Sequence, residues 1–275
     1  MRFPFSPGGG RLYSGGAIGY GVAVKTPLPQ DSRPAADAHG RVAPDDRARI
    51  DVTVCGRRWE LLRAANLEEL WEAMTEDPRN FEDERLPYWT ELWPSSLVLA
   101  QWLECRQAEI AGRICLDLGC GLGLTALVGS LLGARVLGLD YEAEALHFAA
   151  RNAAHNGLAP GPLWAVMDWR RPAVRPGAAA RIWGGDIMYE KRFVAPVMRF
   201  LEHALSPDGV AWLAEPGRNV YEAFLQALHG GGWQGRRVFG AEVAPLYAQP
   251  VPVTVHVWEI SRRATALRPA GEAGR

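Results

Sequence analysis

Lysine is nearly absent from these 275 residues: only Lys25 and Lys191 occur, and the other 28 of the 30 basic residues are arginine. That skew reads as high-GC coding bias and carries no mechanism. Net charge is just as scarce. Thirty basic residues against 31 acidic leave −1, which removes the electrostatic basis for a nucleic-acid partner. No apolar run approaches the length of a membrane span, and the opening Met1-Arg2-Phe3-Pro4-Phe5 contains no signal-peptide core, so neither membrane partner nor export is expected. The four cysteines, Cys55, Cys105, Cys115 and Cys120, show no metal-ligand or disulfide spacing, and the six histidines are scattered. A reducing, cytoplasmic compartment and no metal site are therefore expected. Internal repeats are also missing. What remains is an ordinary globular composition, 48% hydrophobic and 22% charged, long enough for one large α/β domain with appendages.

Residues 1–48 hold six prolines and eight glycines without a persistent period, and read as a flexible tail or an upstream extension from a mis-set start codon. Residues 49–108 read as an N-terminal hairpin, a helix and an aromatic lid segment. The hairpin comes from alternating Ile50, Val52 and Val54, a Cys55-Gly56 turn, and Trp59 and Leu61. A helix over Leu67–Met74 and a loop over Glu76–Leu86 follow, then a helix carrying Val98, Leu99, Trp102 and Leu103 with Ser95 or Ser96 as its cap. Over 109–262, strands at Arg113–Leu118, Arg135–Leu139, Leu163–Met167, Arg181–Ile187 and Gly209–Ala214 alternate with helices. That alternation predicts a Rossmann-like, doubly wound α/β sheet with parallel strands. Arg236–Pro245 and Val253–Ile260 then follow one another with no helix between them, which requires a C-terminal antiparallel hairpin. Residues 263–275 read as a disordered tail.

The most informative stretch is Leu116-Asp117-Leu118-Gly119-Cys120-Gly121-Leu122-Gly123-Leu124-Thr125. An apolar strand runs into three alternate glycines and then into an apolar helix. Glycines at this spacing let the backbone turn sharply and approach a ligand, and the helix N-terminus adds free N–H donors. Asp117 is expected to put a carboxylate beside that ligand. A carboxylate repels phosphate but suits an ammonium or a sulfonium, and S-adenosylmethionine carries both. Gly121-Leu122-Gly123-Leu124-Thr125-Ala126 also fits the dinucleotide pattern G-x-G-x-x-A, yet a pyrophosphate loses by repulsion from Asp117.

Asp140 closes the second strand, where a carboxylate accepts ribose hydroxyls or caps the helix that follows. At Met167-Asp168-Trp169 an acid can accept from an adenine amino group while Trp169 flanks the ring. Asp186-Ile187-Met188-Tyr189 closes the fourth strand, on the rim where a co-substrate meets a bound ligand, and offers an anion and a phenol to an incoming nucleophile. The bland alternative is a capping Asp and a packed Tyr. Pro87-Tyr88-Trp89-Thr90-Glu91-Leu92-Trp93-Pro94-Ser95-Ser96 suits a donor lid and apolar channel, or simply a hydrophobic plug over the sheet. Arg218 either binds an acidic substrate or caps a carbonyl.

With these stretches, residues from about 50 to 260 resemble class I (seven-β-strand) S-adenosylmethionine-dependent methyltransferases. They are most similar to the protein lysine methyltransferase group that includes the electron-transfer-flavoprotein β-subunit lysine methyltransferase. The resemblance implies a seven-stranded sheet ending in the antiparallel hairpin, S-adenosylmethionine as donor and S-adenosylhomocysteine as product. It implies donor contacts from Trp93, Asp117, Gly119, Gly121, Gly123, Asp140, Asp168 and Trp169, acceptor chemistry at Asp186 and Tyr189, and substrate contacts from Trp89, Glu91 and Arg218. The partner expected is a protein presenting a lysine. A lysine amine, with a pKa of about 10.4 in water, must lose its proton before attack. Desolvation by Trp89 and Trp93, with Asp186 orienting the amine and taking part in its proton loss and Tyr189 placing the nitrogen, is the expected means. A small-molecule or nucleic-acid acceptor, a donor-binding protein without catalysis and an NAD enzyme are the alternatives.

Overall fold

The computed structural model describes residues 48–64, 70, 72, 87–246 and 251–263. The tail expected over 1–48, the helix over Leu67–Met74, the loop over Glu76–Leu86 and the segment 263–275 lie wholly or largely outside these residues.

Strands β1 (Arg49–Val54) and β2 (Arg57–Leu62) pair antiparallel from Arg49↔Leu62 to Val54↔Arg57. Cys55 at φ 53° and Gly56 at φ 64° supply the two left-handed residues that match a two-residue turn to the strand twist. Alternation puts Ile50, Val52, Trp59 and Leu61 on one fully buried face.

The helix α1 (Pro94–Cys105) begins one residue before the expected serine caps. Trp93 is its N-cap and Pro94 occupies the first turn, where a missing N–H loses nothing and the fixed φ suits the helix. Ser95 and Ser96 therefore sit inside the first turn. A short helix α2 (Gln107–Ile110) leads to the sheet strands: β3 (Ile114–Leu118), β4 (Arg135–Asp140), β5 (Leu163–Val166), β6 (Ala179–Gly185), β7 (Leu205–Glu215), β8 (Trp233–Val243) and β9 (Val253–Arg262). The remaining helices are α3 (Leu124–Leu131), α4 (Ala143–His155), α5 (Val194–Ala204) and α6 (Val220–Gly230).

Sheet order is β5-β4-β3-β6-β7-β9-β8, with β3 to β7 parallel and β9 antiparallel to both its neighbours. The expected seven-stranded sheet is present. The last strand enters between β7 and β8, because Val255 and Val257 are buried on one face and Ile260 on the other. The burial of β8 is far patchier, so it forms the edge.

Alternate residues of each strand feed two cores. Cys115, Val136, Trp183 and Trp212 pack with α1, α3, α4 and the hairpin. Leu116, Leu118, Ile182 and Leu213 pack with α5 and α6 on the opposite face. The chain steps outward from β3 to β5, then returns to the other side of β3 as β6. The carboxyl ends of β3 and β6 thus diverge at a topological switch point, where ligands of such sheets bind. One boundary matters there: β6 stops at Gly185, two residues before the expected end; at the other end of the sheet β7 starts at Leu205 rather than Gly209.

Candidate functional site

After β3 the backbone makes a tight loop with Gly119 at φ 66°, Gly121 at φ 50° and Gly123 at φ 89°. The N–H groups of Gly119 and Cys120 donate to the Leu139 carbonyl at 2.8 and 3.0 Å, tying the loop to β4. A Cβ on Gly119 would meet Ile187 Cγ2 at 2.8 Å, so glycine is required there by space as well as by φ. On Gly121 the nearest atom would be the Trp89 carbonyl oxygen at 3.5 Å, so φ alone disfavours other residues there.

The loop forms one wall of a cavity of about 750 Å³ at the switch point. Of the expected residues, Trp89, Glu91, Trp93, Gly119, Gly121, Gly123, Asp140, Asp168, Trp169, Asp186, Tyr189 and Arg218 line it, and Asp117 does not. Asp117 lies beneath the loop, 1% exposed, and its Oδ2 accepts from the Thr125 hydroxyl at 2.6 Å. Its Oδ1 and the Trp183 indole N–H are both buried, close enough to favour the ionised form yet outside hydrogen-bonding geometry. Burial dominates and pushes the Asp117 carboxyl up to about 7. The expected carboxylate against the ligand is thus a support under the loop.

A pH effect follows from that burial. Between about pH 4 and pH 7 the folded chain holds a proton on Asp117 that the unfolded chain has released, so this group's stabilisation is complete below pH 4 and is lost by pH 7. Asp117→Asn should therefore flatten the fall in Tm across that window. At pH 8 it should raise Tm by about 2 °C, the shift of ~1 kcal/mol in a chain this size. Differential scanning fluorimetry of both proteins from pH 4 to 8 checks this, and parallel curves would contradict it.

Asp140 braces the same loop. Its Oδ2 accepts from Gly121 N at 2.8 Å and its Oδ1 from Glu142 N at 3.0 Å, at the start of α4. Burial raises this carboxyl, and those backbone donors oppose the rise. Asp168 is held by Arg170, whose Nε stands 2.8 Å from Oδ2 and whose guanidinium lies 5.6 Å from the Tyr141 ring centroid. Trp169 meets Phe193 edge-on at 5.5 Å.

On the rim across from the loop, Asp186 follows β6 at φ 58°, a conformation Asp tolerates better than most residues. Arg218 grips it in two places, Nε to Oδ1 at 2.5 Å and a terminal nitrogen to Oδ2 at 2.6 Å. The buried Glu215 holds that arginine's own loop by accepting from the N–H groups of Gly217 and Arg218, and from Trp258 Nε1. Arg218, expected to meet an acidic substrate or to cap a carbonyl, therefore has an internal carboxylate partner 32 positions away. Its pKa is raised, mainly by the hydrogen bonds to Asp186.

Tyr189 stands between Tyr88 at 5.5 Å and Phe193 at 4.9 Å, both edge-on. Burial pushes its phenol well above the ordinary value, so it stays protonated at neutral pH. Trp93 donates its indole N–H to the Tyr88 carbonyl at 2.9 Å. Trp89 is 7% exposed and packs on Phe148, so it serves the core as well as the cavity wall. Glu91 accepts from Arg63 at 2.9 Å through Oε1, while its buried Oε2 has no partner; burial raises its carboxyl and Arg63 opposes the rise. Tyr88 and Phe193 were missed as site residues. Tyr88 sits in the aromatic segment already singled out, and Phe193 stands four positions after Tyr189. Arg63 carries no local signal. Among the described residues no His/Cys/Asp/Glu cluster suits a metal, and no helix is long and apolar enough to cross a membrane.

The family model for ribosomal protein L11 methyltransferase matches residues 96–171. Ribosomal protein L11 methyltransferase of Pseudomonas paraeruginosa is 39% identical over 150 residues, 52% of this chain and 47% of that protein. Two Danio rerio proteins are similar over a comparable stretch. Protein N-lysine methyltransferase METTL21A is 32% identical, covering 45% of this chain and 58% of its own length. Electron transfer flavoprotein beta subunit lysine methyltransferase is 33% identical, covering 50% and 52%. The chain spans about half the length of these curated relatives. In fold it is similar to the T. thermophilus 16S rRNA N2 G1207 methyltransferase, solved with AdoMet and guanosine, with a TM-score of 0.51, 16% identity, and coverage of 78% of this chain and 50% of that one. The glycine loop, Asp140 and Asp168 all fall within the matched residues, and the chain carries a class I S-adenosylmethionine-dependent methyltransferase domain that is similar, over that stretch, to ribosomal protein L11 methyltransferase and to protein-lysine methyltransferases.

Proposed function

We propose that the chain binds S-adenosylmethionine against the glycine loop and transfers its methyl group to a protein nitrogen, the side-chain amine of a lysine. One observation carries the reading: a single cavity of about 750 Å³ joins the loop at Gly119–Gly123 to the Asp186–Tyr189 rim. That volume lies within the ~300–1,000 Å³ of small-ligand sites, and glycine backbone, two carboxylates and aromatic walls suit an adenosine with a cationic tail. When bound, the donor supplies an already activated methyl, so the chain's own work is alignment and water exclusion. Asp140 and Asp168 hold the nucleoside end. Trp89 and Trp93 wall the acceptor channel and keep the amine poorly solvated, which favours its neutral form. Arg218 grips both oxygens of Asp186, and that carboxylate orients the amine by accepting a hydrogen bond from it. Tyr189, held protonated, fixes the nitrogen from the other side. The names of the curated relatives, one acting on a ribosomal protein and two on protein lysines, support a protein acceptor, and the net charge of −1 disfavours nucleic acid.

The test is transfer from radiolabelled S-adenosylmethionine into a host lysate, followed by hydrolysis of the labelled bands; methyl-lysine is the expected product. Label confined to small molecules would overturn the acceptor assignment. A thermal-shift comparison separates the donor from NAD. At 100 times its Kd, S-adenosylhomocysteine should stabilise by ~2.7 kcal/mol, and NAD at the same concentration should do nothing.

A further inference from the structure

The N-terminal hairpin makes no part of the glycine loop, yet one buried side chain ties the two together. Asn152, on α4, is 0% exposed. Its Oδ1 accepts from the Leu62 N–H at 2.7 Å, and its Nδ2 donates to the Leu62 carbonyl at 3.2 Å and to the Leu122 carbonyl at 3.0 Å. Both of its donors are used, one on the last residue of β2 and one inside the loop, next to Gly121. A fully satisfied buried amide of this kind specifies one arrangement of the groups it joins. One turn further on, Asn156 makes the matching pair of bonds to the Glu60 N–H and carbonyl, and none to the loop. The two asparagines thus share the task of docking the hairpin; the second amide donor of Asn152 goes to Leu122 in the loop, whereas that of the half-buried Asn156 goes back to the Asn152 carbonyl at 2.8 Å.

We infer that Asn152 is a positioning residue for donor binding: it fixes the Leu122 carbonyl, and with it the curvature of the glycine loop, from the hairpin side. The Gly121 N–H is held from the opposite side by Asp140, so the loop is pinned on both flanks. The inference rests on the donor reading above. It makes the hairpin part of the binding machinery rather than a cover on the core.

The test is calorimetric titration of the full chain with S-adenosylhomocysteine. Asn152→Leu removes the bond to Leu122 and should weaken binding about tenfold, the effect of losing one buried hydrogen bond that shapes a site. Asn152→Gln keeps both donors and should recover part of that loss. Asn156→Ala loosens the same hairpin and should leave the Kd within about twofold, even where its Tm falls as far. Should Asn152→Leu not fold, Asn152→Asp keeps the acceptor oxygen for Leu62, removes the amide donor to Leu122, and carries the same comparison. Equal losses of affinity in the Asn152 and Asn156 variants would reduce Asn152 to a structural role and overturn the inference. So would wild-type affinity in the Asn152 variants. A wild-type chain that binds no S-adenosylhomocysteine would overturn the donor reading itself, and this inference with it.

Discussion

Gly119→Val is expected to lower S-adenosylmethionine affinity by at least about 100-fold, or ~3 kcal/mol. Two effects add at this position. At φ 66° a side chain strains the backbone, costing roughly 1–2 kcal/mol, and a Cβ would stand 2.8 Å from Ile187 Cγ2. Ile187 is itself 4% exposed and wedged under the rim, so relief must come from the loop moving into the cavity. Gly121→Ala separates the two effects. It meets nothing closer than 3.5 Å, bears only the φ strain, and should weaken binding about tenfold or less. Titration calorimetry of both variants checks the order; a Gly121 variant as impaired as Gly119→Val would place the ligand against Gly121 rather than between the loop and the rim.

Asp186→Asn is expected to reduce methyl transfer about 100-fold, the lower range for losing one positioned polar group, with donor Kd unchanged within about threefold. Asn tolerates φ 58° nearly as well as Asp, so the backbone at the end of β6 should stay in place. The charge does not. Arg218 would face a neutral amide with its guanidinium half-desolvated, and Tm should fall by about 4 °C. Single-turnover transfer into the identified acceptor, read beside donor titration, distinguishes the roles open to Asp186. Full turnover with normal donor binding would make Asp186 a tether for Arg218 alone and leave the amine to Tyr189. Lost donor binding would mean that the Asp186–Arg218 pair shapes the loop side of the cavity as well.

The glycine loop could be read from the chain because its requirements are local. Three glycines at alternate positions, a strand before them and a helix after them describe one turn whose geometry depends on neighbours in sequence. The same holds for the hairpin turn at Cys55-Gly56 and for Asp140 at a strand end. Where a residue's partner is distant, that partner could not be read from the chain. Asp117 was expected against the ligand because it adjoins the loop, but β3 buries it under Thr125. Arg218 was expected to bind an acidic substrate or to cap a carbonyl, and the return of β7 beside β6 brings it to Asp186, on the cavity wall. Arg63 and Asn152 carry no sequence signal at all, since their partners are 28 and 30 residues or more away.

The sequence alone determined the elements and the glycine loop: apolar alternation, helical period and glycine spacing act within a few residues, so their outcome is written where they occur. Tertiary structure decided which strand lies beside which, the insertion of β9 between β7 and β8, the pinning of the loop from the hairpin, and the pairing of Asp186 with Arg218. Those depend on which buried surfaces and unpaired polar groups find each other when the two cores close around the sheet. That is a property of the whole packing and of no single stretch of chain.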